Sequence, residues 1–254
     1  MADISAQDLN FLIDAGRFLE KPGALIRIAN TIGKPLELMN KALPVKAQEK
    51  LNSAVHKTLD QALKWSIETV QEQTRPLPPS LVLRRGRVST VATTVTGAIG
   101  GFFGISALTI ELPITTMIML RSIADIAVQS GENIHLSETR LECIQILAMG
   151  SPRTSGDDQM ESAYFTQRIA FARMLNKAAP AQLMARIAAE FKIVVTEKMI
   201  LESLPVVGAI GGAVINAAFS NYFNKAAHYH FGIKTLERRY GAEQVSAAYT
   251  KLLK

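Results

Sequence analysis

With a single cysteine, Cys143, in 254 residues, the chain can form no internal disulfide and offers no thiol cluster for zinc, a usage that fits a reducing compartment. Charged residues are also scarce. They make up 20% against 48% hydrophobic residues, which excludes long disordered tails over most of the chain, because those need low hydrophobicity and high charge. The formal net charge is +6 and the isoelectric point about 9.5, yet there is no block rich in lysine and arginine. Most of the surplus is scattered after Glu161, and few aromatics stand beside it. A basic excess without a face argues against nucleic acid and leaves anionic lipid as the compatible partner. Motifs with catalytic spacing are missing as well: there is no Gly-x-Ser-x-Gly, no Gly-x4-Gly-Lys-Ser/Thr and no His-Glu-x-x-His, so neither a reaction nor a cofactor is implied. The opening Met1-Ala2-Asp3 carries no basic stretch leading into an apolar one, so no secretory signal is expected.

What is present reads as helix. Short alternating runs closed by turn dipeptides are scarce, and the β-branched residues sit inside helical patterns. Ser5 with Asp8 opens a first helix through Glu20, which Lys21-Pro22-Gly23 stops before a second segment reaching Asn40. From Pro44, the apolar positions Leu51, Val55, Leu59, Ala62, Leu63 and Ile67 recur at three and four residues and give one buried face. The run Arg75-Pro76-Leu77-Pro78-Pro79 is the best internal boundary. It separates an N-terminal helical segment, 1–79, from a main domain, 80–254. Amphipathic helices are expected over Ser137 to Met149, Asp158 to Ala178, Pro180 to Leu201 and Ala242 to Leu253, with an exposed loop over Ser151 to Asp158. The fold class is all-α.

Two stretches stand apart: Ser89 to Ile110 and Ser203 to Phe223 contain no charged residue. Each is long enough to cross a bilayer, but threonine, glycine, serine and asparagine dilute them to a mean hydropathy of about 1.2 to 1.4, borderline for a spanning helix. They share a short echo, Gly97-Ala98-Ile99-Gly100-Gly101 and Gly208-Ala209-Ile210-Gly211-Gly212. Glycines four apart strip one helix face of side chains, so these stretches are expected to be central helices in mutual contact. Insertion into a membrane is the competing use of the same pattern.

Ionisable groups near the apolar stretches are Glu111, Arg121 and Asp125. The last two are four apart, which lets them compensate each other on one helix face. Glu111 with Pro113 marks a place where a tight hairpin could return the chain. His228 and His230 diverge on a helix and do not favour a metal pair, so His230 is expected to hydrogen-bond or pack near the helix end. Lys234 to Gly241 alternates in charge and ends on glycine. A solvated helix end with a C-cap is the simple expectation, and phosphate or headgroup contact the sharper one.

Several pieces, in order, resemble the EcsC family: Arg121-Ser122-Ile123-Ala124-Asp125-Ile126-Ala127; Glu161-Ser162-Ala163-Tyr164 with Arg168; Val195-Thr196-Glu197-Lys198; Pro205 to Ala213 with Asn216 and Phe219; and His230-Phe231 leading to Leu236-Glu237-Arg238-Arg239-Tyr240-Gly241. The resemblance implies a helical protein at the bacterial cytoplasmic membrane or in the cytoplasm. It supplies no reaction, because the family is named for a gene beside an ABC transporter. Asn221-Tyr222-Phe223-Asn224 stands where a version richer in histidine or glutamine is expected, and no metal ligand set is assigned. The residues singled out for binding a lipid or other hydrophobic ligand are Gly97, Gly101, Glu111, Arg121, Asp125, Lys198, Gly208, Gly212, Asn216 and His230. Two alternatives stay open. One is a hydrolase or metal-dependent enzyme using some of Glu111, Arg121, Asp125, Glu197, Lys198, His230 and Glu237; the other is a regulatory partner of an ABC transporter.

Overall fold

In the computed structural model, residues 3–20, 51, 53–59, 61, 105–149, 162–177, 180–202 and 212–253 are described. They form an all-α assembly, with no strand among the described residues. The helices are α1 (Ala6–Leu19), α2 (Ile105–Gln129), α3 (Ser137–Ala148), α4 (Ala163–Lys177), α5 (Pro180–Glu202), α6 (Gly212–Tyr240) and α7 (Ala242–Leu252), and residues 53–59 are helical as well. Three of the expected helices, α3, α5 and α7, fall where their periodicity places them, and α4 starts at Ala163, later than the expected Asp158, with Ser162 outside it.

The first helix begins as its sequence dictates. The Asp8 N–H donates to Ser5 Oγ at 3.2 Å, so the hydroxyl satisfies one of the backbone donors that a helix start leaves open. Leu12, Ala15, Gly16 and Leu19 are buried; their spacing of three and four puts them on one stripe, and that stripe lies against α6 and α7. At its far end the Glu20 carboxylate accepts from the Ala163 N–H at 3.1 Å, the Tyr164 N–H at 3.3 Å, the Tyr249 hydroxyl at 3.1 Å and the Ser162 hydroxyl. A carboxylate at the start of α4 meets the positive end of that helix. Glu20 thereby ties α1, α4 and α7 together.

Helix α6 is the axis. It lies against α1, α2, α3, α5 and α7, and large side chains such as Phe219, Phe223, Phe231 and Leu236 are fully buried along it. Its end follows from Gly241, whose φ of 94° belongs to the region where a side chain is strained. The Gly241 N–H still closes a bond to the Glu237 carbonyl at 2.8 Å before the chain turns into α7.

Three expectations need revision. Pro113 does not open a hairpin; it sits inside the continuous helix α2. The lost backbone bond is a local cost, and it is outweighed by burial of Leu112, Met119, Leu120, Ile123 and Ile126 along the same helix. Arg121 is exposed, and Asp125 accepts instead from Gln129 Nε2; no Arg121–Asp125 ion pair occurs among the described residues. The end of α6 stops at Gly241 with Arg238 and Arg239 exposed, as expected, but its charges are paired rather than merely solvated. Lys234 Nζ reaches Glu132 at 2.8 Å and also pairs with Glu142, Arg238 pairs with Glu132, Arg239 reaches Asp8 at 3.1 Å, and Arg168 meets Glu237. Burial by itself would favour the neutral amine of Lys234, but the carboxylates of Glu142 and Glu132 reverse this and raise its pKa.

The glycine pentads are a different matter. Positions 97, 101 and 208 lie outside the described residues, as does the boundary at 75–79, and Gly212 is the first residue of α6. The described continuations of the two apolar stretches, α2 and α6, pack on each other. One described window, Leu112–Gln129 with mean hydropathy 1.2, is long and apolar enough to cross a membrane, and 67% of it is buried inside the protein. A helix buried to that extent also meets the description of a core helix of a soluble bundle.

Candidate ligand-binding site

Between α3, α4, α6 and α7 lies a cavity of about 800 Å³, within the size range of small-molecule sites. One side is apolar, with Phe165, Ile169, Phe171 and Ala172 from α4 and Ala247 from α7. The inner end is polar: Glu142 and Gln145 come from α3, Arg168 from α4, and His230 and Glu237 from α6.

Each polar group is held by a stated partner or by burial. Arg168 makes two parallel bonds to Glu237, both 2.8 Å, and its guanidinium also faces the rings of Tyr164 at 5.6 Å and Phe165 at 5.5 Å. That fork geometry orients both side chains along the wall and neutralises their charges. Tyr164 and His230 are fully buried and share a bond of 3.1 Å between the phenol oxygen and Nδ1. Burial pushes the Tyr164 phenol up, so it keeps its proton. Burial, reinforced by the Arg168 and Lys234 cations, pulls His230 well below the ordinary histidine range, so the ring is neutral. Its second nitrogen, Nε2, has no partner among the described residues, and neither has Gln145 Oε1. A buried polar atom left without a partner costs free energy and calls for an explanation.

His228 points elsewhere, as two residues two apart on a helix must. Its ring meets Phe11 of α1 edge-on, with centroids 5.4 Å apart. Burial lowers its pKa from 6.5 to about 4, and this has a consequence for acid stability. Between those values the unfolded chain binds more protons than the folded one, so stability falls as pH drops below 6.5, by about 2 kcal/mol at pH 5 from this residue alone. His228→Phe is expected to flatten the pH dependence of the melting temperature between pH 7.5 and 5; identical slopes for variant and wild type would contradict the assignment.

Of the residues singled out from sequence for binding, His230 lines the cavity, and Arg121, Asp125, Lys198 and Asn216 do not. Lys198 is buried on α5, Asn216 on α6, Arg121 is exposed on α2 and Asp125 is half-buried there; Glu111 lies within α2. Of the set considered for an enzyme, His230 and Glu237 reach the cavity, whereas Arg121, Asp125 and Lys198 do not. No group of three or more metal-ligating side chains occurs among the described residues. Sequence reasoning about chemistry missed Glu142, Gln145 and Phe165, which carry no motif. Tyr164 and Arg168 had a signal only in the family resemblance.

The fold and the site define a helical bundle with a polar-ended cavity wrapped around one long axial helix. The chain belongs to the EcsC protein family, whose model matches residues 19–236. The match runs across the proline boundary and covers the N-terminal segment from the end of α1. No curated protein and no solved structure matches the chain.

Proposed function

We propose that the protein binds a lipid or other amphiphilic small molecule in the cavity between α3, α4, α6 and α7. The carrying observation is the cavity itself: about 800 Å³, apolar along Phe165, Ile169 and Phe171, and polar at His230, Gln145 and Arg168. Apolar walls with a few convergent polar groups are the usual construction of a site that orients an amphiphile. Ile169 is 48% exposed beside the opening, and an occupant would cover it. The test is titration with the neutral fluorophore N-phenyl-1-naphthylamine. Wild type is expected to bind it saturably, and Ala247→Trp, which fills the opening from an exposed helix position, is expected to weaken binding at least about tenfold. Saturation without any effect of the tryptophan would place the fluorophore elsewhere, and no saturation at all would contradict the reading.

Association with a bilayer is a second reading, supported by the apolar window Leu112–Gln129. The basic run at the end of α6 adds little to it, because Lys234, Arg238 and Arg239 are already paired with acidic side chains. If α2 engages lipid, liposome flotation persists at high salt, since screening removes only the electrostatic part. Loss of flotation in salt would reject apolar insertion.

A further inference from the structure

We propose, on the reading that the cavity is a ligand site, that its inner end recognises an uncharged hydrogen-bonding group, such as the alcohol or primary amide of an amphiphile, and discriminates against carboxylates and phosphates. Two observations carry this. First, His230 is 1% exposed, lines the cavity, and has Nε2 without a partner among the described residues while Nδ1 is bonded to the Tyr164 hydroxyl. If the phenol donates to Nδ1, Nε2 carries the hydrogen and donates; if Nδ1 donates to the phenol, Nε2 accepts. An alcohol or an amide satisfies either arrangement, whereas a carboxylate satisfies only the first.

Second, among the described residues the inner end holds no uncommitted cation. Arg168 is taken up in its bidentate pair with Glu237, and Lys234 behind the wall is shared by Glu132 and Glu142. An entering anion would face two lining carboxylates, Glu142 and Glu237, with their countercharges already engaged. An anion taken from water needs a paired or strongly donating environment. A neutral group needs only the bond that His230 offers. The remaining ionisable lining residues, Glu243 and Lys251, are exposed on α7, one of each sign. Gln145 adds a second unpartnered buried atom, Oε1, but it also lines a small adjoining pocket of about 20 Å³, room for a single water at most. The hydrogen bond to the ligand therefore rests on His230, and the discrimination against anions on the committed charges around it.

The experiment is competition against N-phenyl-1-naphthylamine at pH 8 with matched chains: 1-octanol, octanamide, octanoate, octyl phosphate and n-octane. Octanol and octanamide are expected to bind about tenfold tighter than octane, the factor one hydrogen bond supplies, and at least as far ahead of the two anions. His230→Phe is expected to bring octanol down to the level of octane while octane itself keeps its affinity, which shows that the variant is folded with its cavity intact. Octanoate or octyl phosphate binding as tightly as octanol would overturn the proposal. Octanol no better than octane would overturn it too, because water alone would then satisfy His230. If no member of the series competes, octane included, the cavity reading itself fails.

Discussion

Replacing Arg168 by methionine is expected to lower the free energy of unfolding by about 3 kcal/mol, at the low end of what is lost when one partner of a buried ion pair is removed. The side chains of Arg168 and Glu237 are only 20% and 14% exposed, so the remaining carboxylate has little water to replace two hydrogen bonds of 2.8 Å. The substitution also removes the guanidinium that faces the rings of Tyr164 and Phe165. The double variant Arg168→Met with Glu237→Leu is expected to recover most of the stability, because a well-packed apolar pair often equals a buried ion pair. Urea unfolding midpoints read both results. A single-variant loss below about 1 kcal/mol would show that the pair behaves as a solvated surface bridge.

Gly232→Leu is expected to cost about 1 to 3 kcal/mol by overpacking, although leucine is the better helix former by nearly 1 kcal/mol. The reason lies across the interface with α1. A Cβ placed on Gly232 would come 2.3 Å from Phe11 Cζ, and the Phe11 ring is flanked by His228 and Tyr229 at centroid distances of 5.4 and 5.6 Å. For alanine the gain in helix propensity and a small shift of the ring oppose each other. A leucine side chain leaves the ring no such escape, so α1 must lift from α6. In a Phe11→Ala background the same substitution is expected to be nearly neutral. Equal effects in both backgrounds would mean that the contact with Phe11 is not the cause.

These contacts also mark what could be read from the chain alone. The all-α fold, the Ser5 cap, and the limits of α3, α5 and α7 follow from local rules, since capping and periodicity depend on neighbours within a few positions. The end of α6 does not. Lys234, Arg238 and Arg239 look like a solvated run until Glu132, Glu142 and Asp8, more than ninety residues away in sequence for each closest pairing, come to meet them. Pro113 misleads for a related reason: a local breaker is overruled by a helix buried along much of its length. Close packing on glycine was anticipated, but at the pentads; Gly232 has no repeat to announce it, and only Phe11 gives it meaning.

The cavity was legible in an indirect way. Tyr164 and Arg168 come from one piece of the family resemblance, and His230 and Glu237 from another. The structure joins these pieces by the Tyr164–His230 bond and the Arg168–Glu237 pair. Chemistry alone singled out His230 as a residue that would bond near a helix end; it could not reveal that a cavity opens at its second nitrogen, because Gln145 and the α4 wall carry no recognisable spacing.

Native mass spectrometry of detergent-free protein, taken directly from the expressing cells, tests the ligand-binding account most directly. It is expected to show a stoichiometric adduct that organic solvent extracts as an uncharged amphiphile, present in wild type and absent from Ala247→Trp. Protein of apo mass alone, with no saturable binding of added amphiphile, would contradict the account.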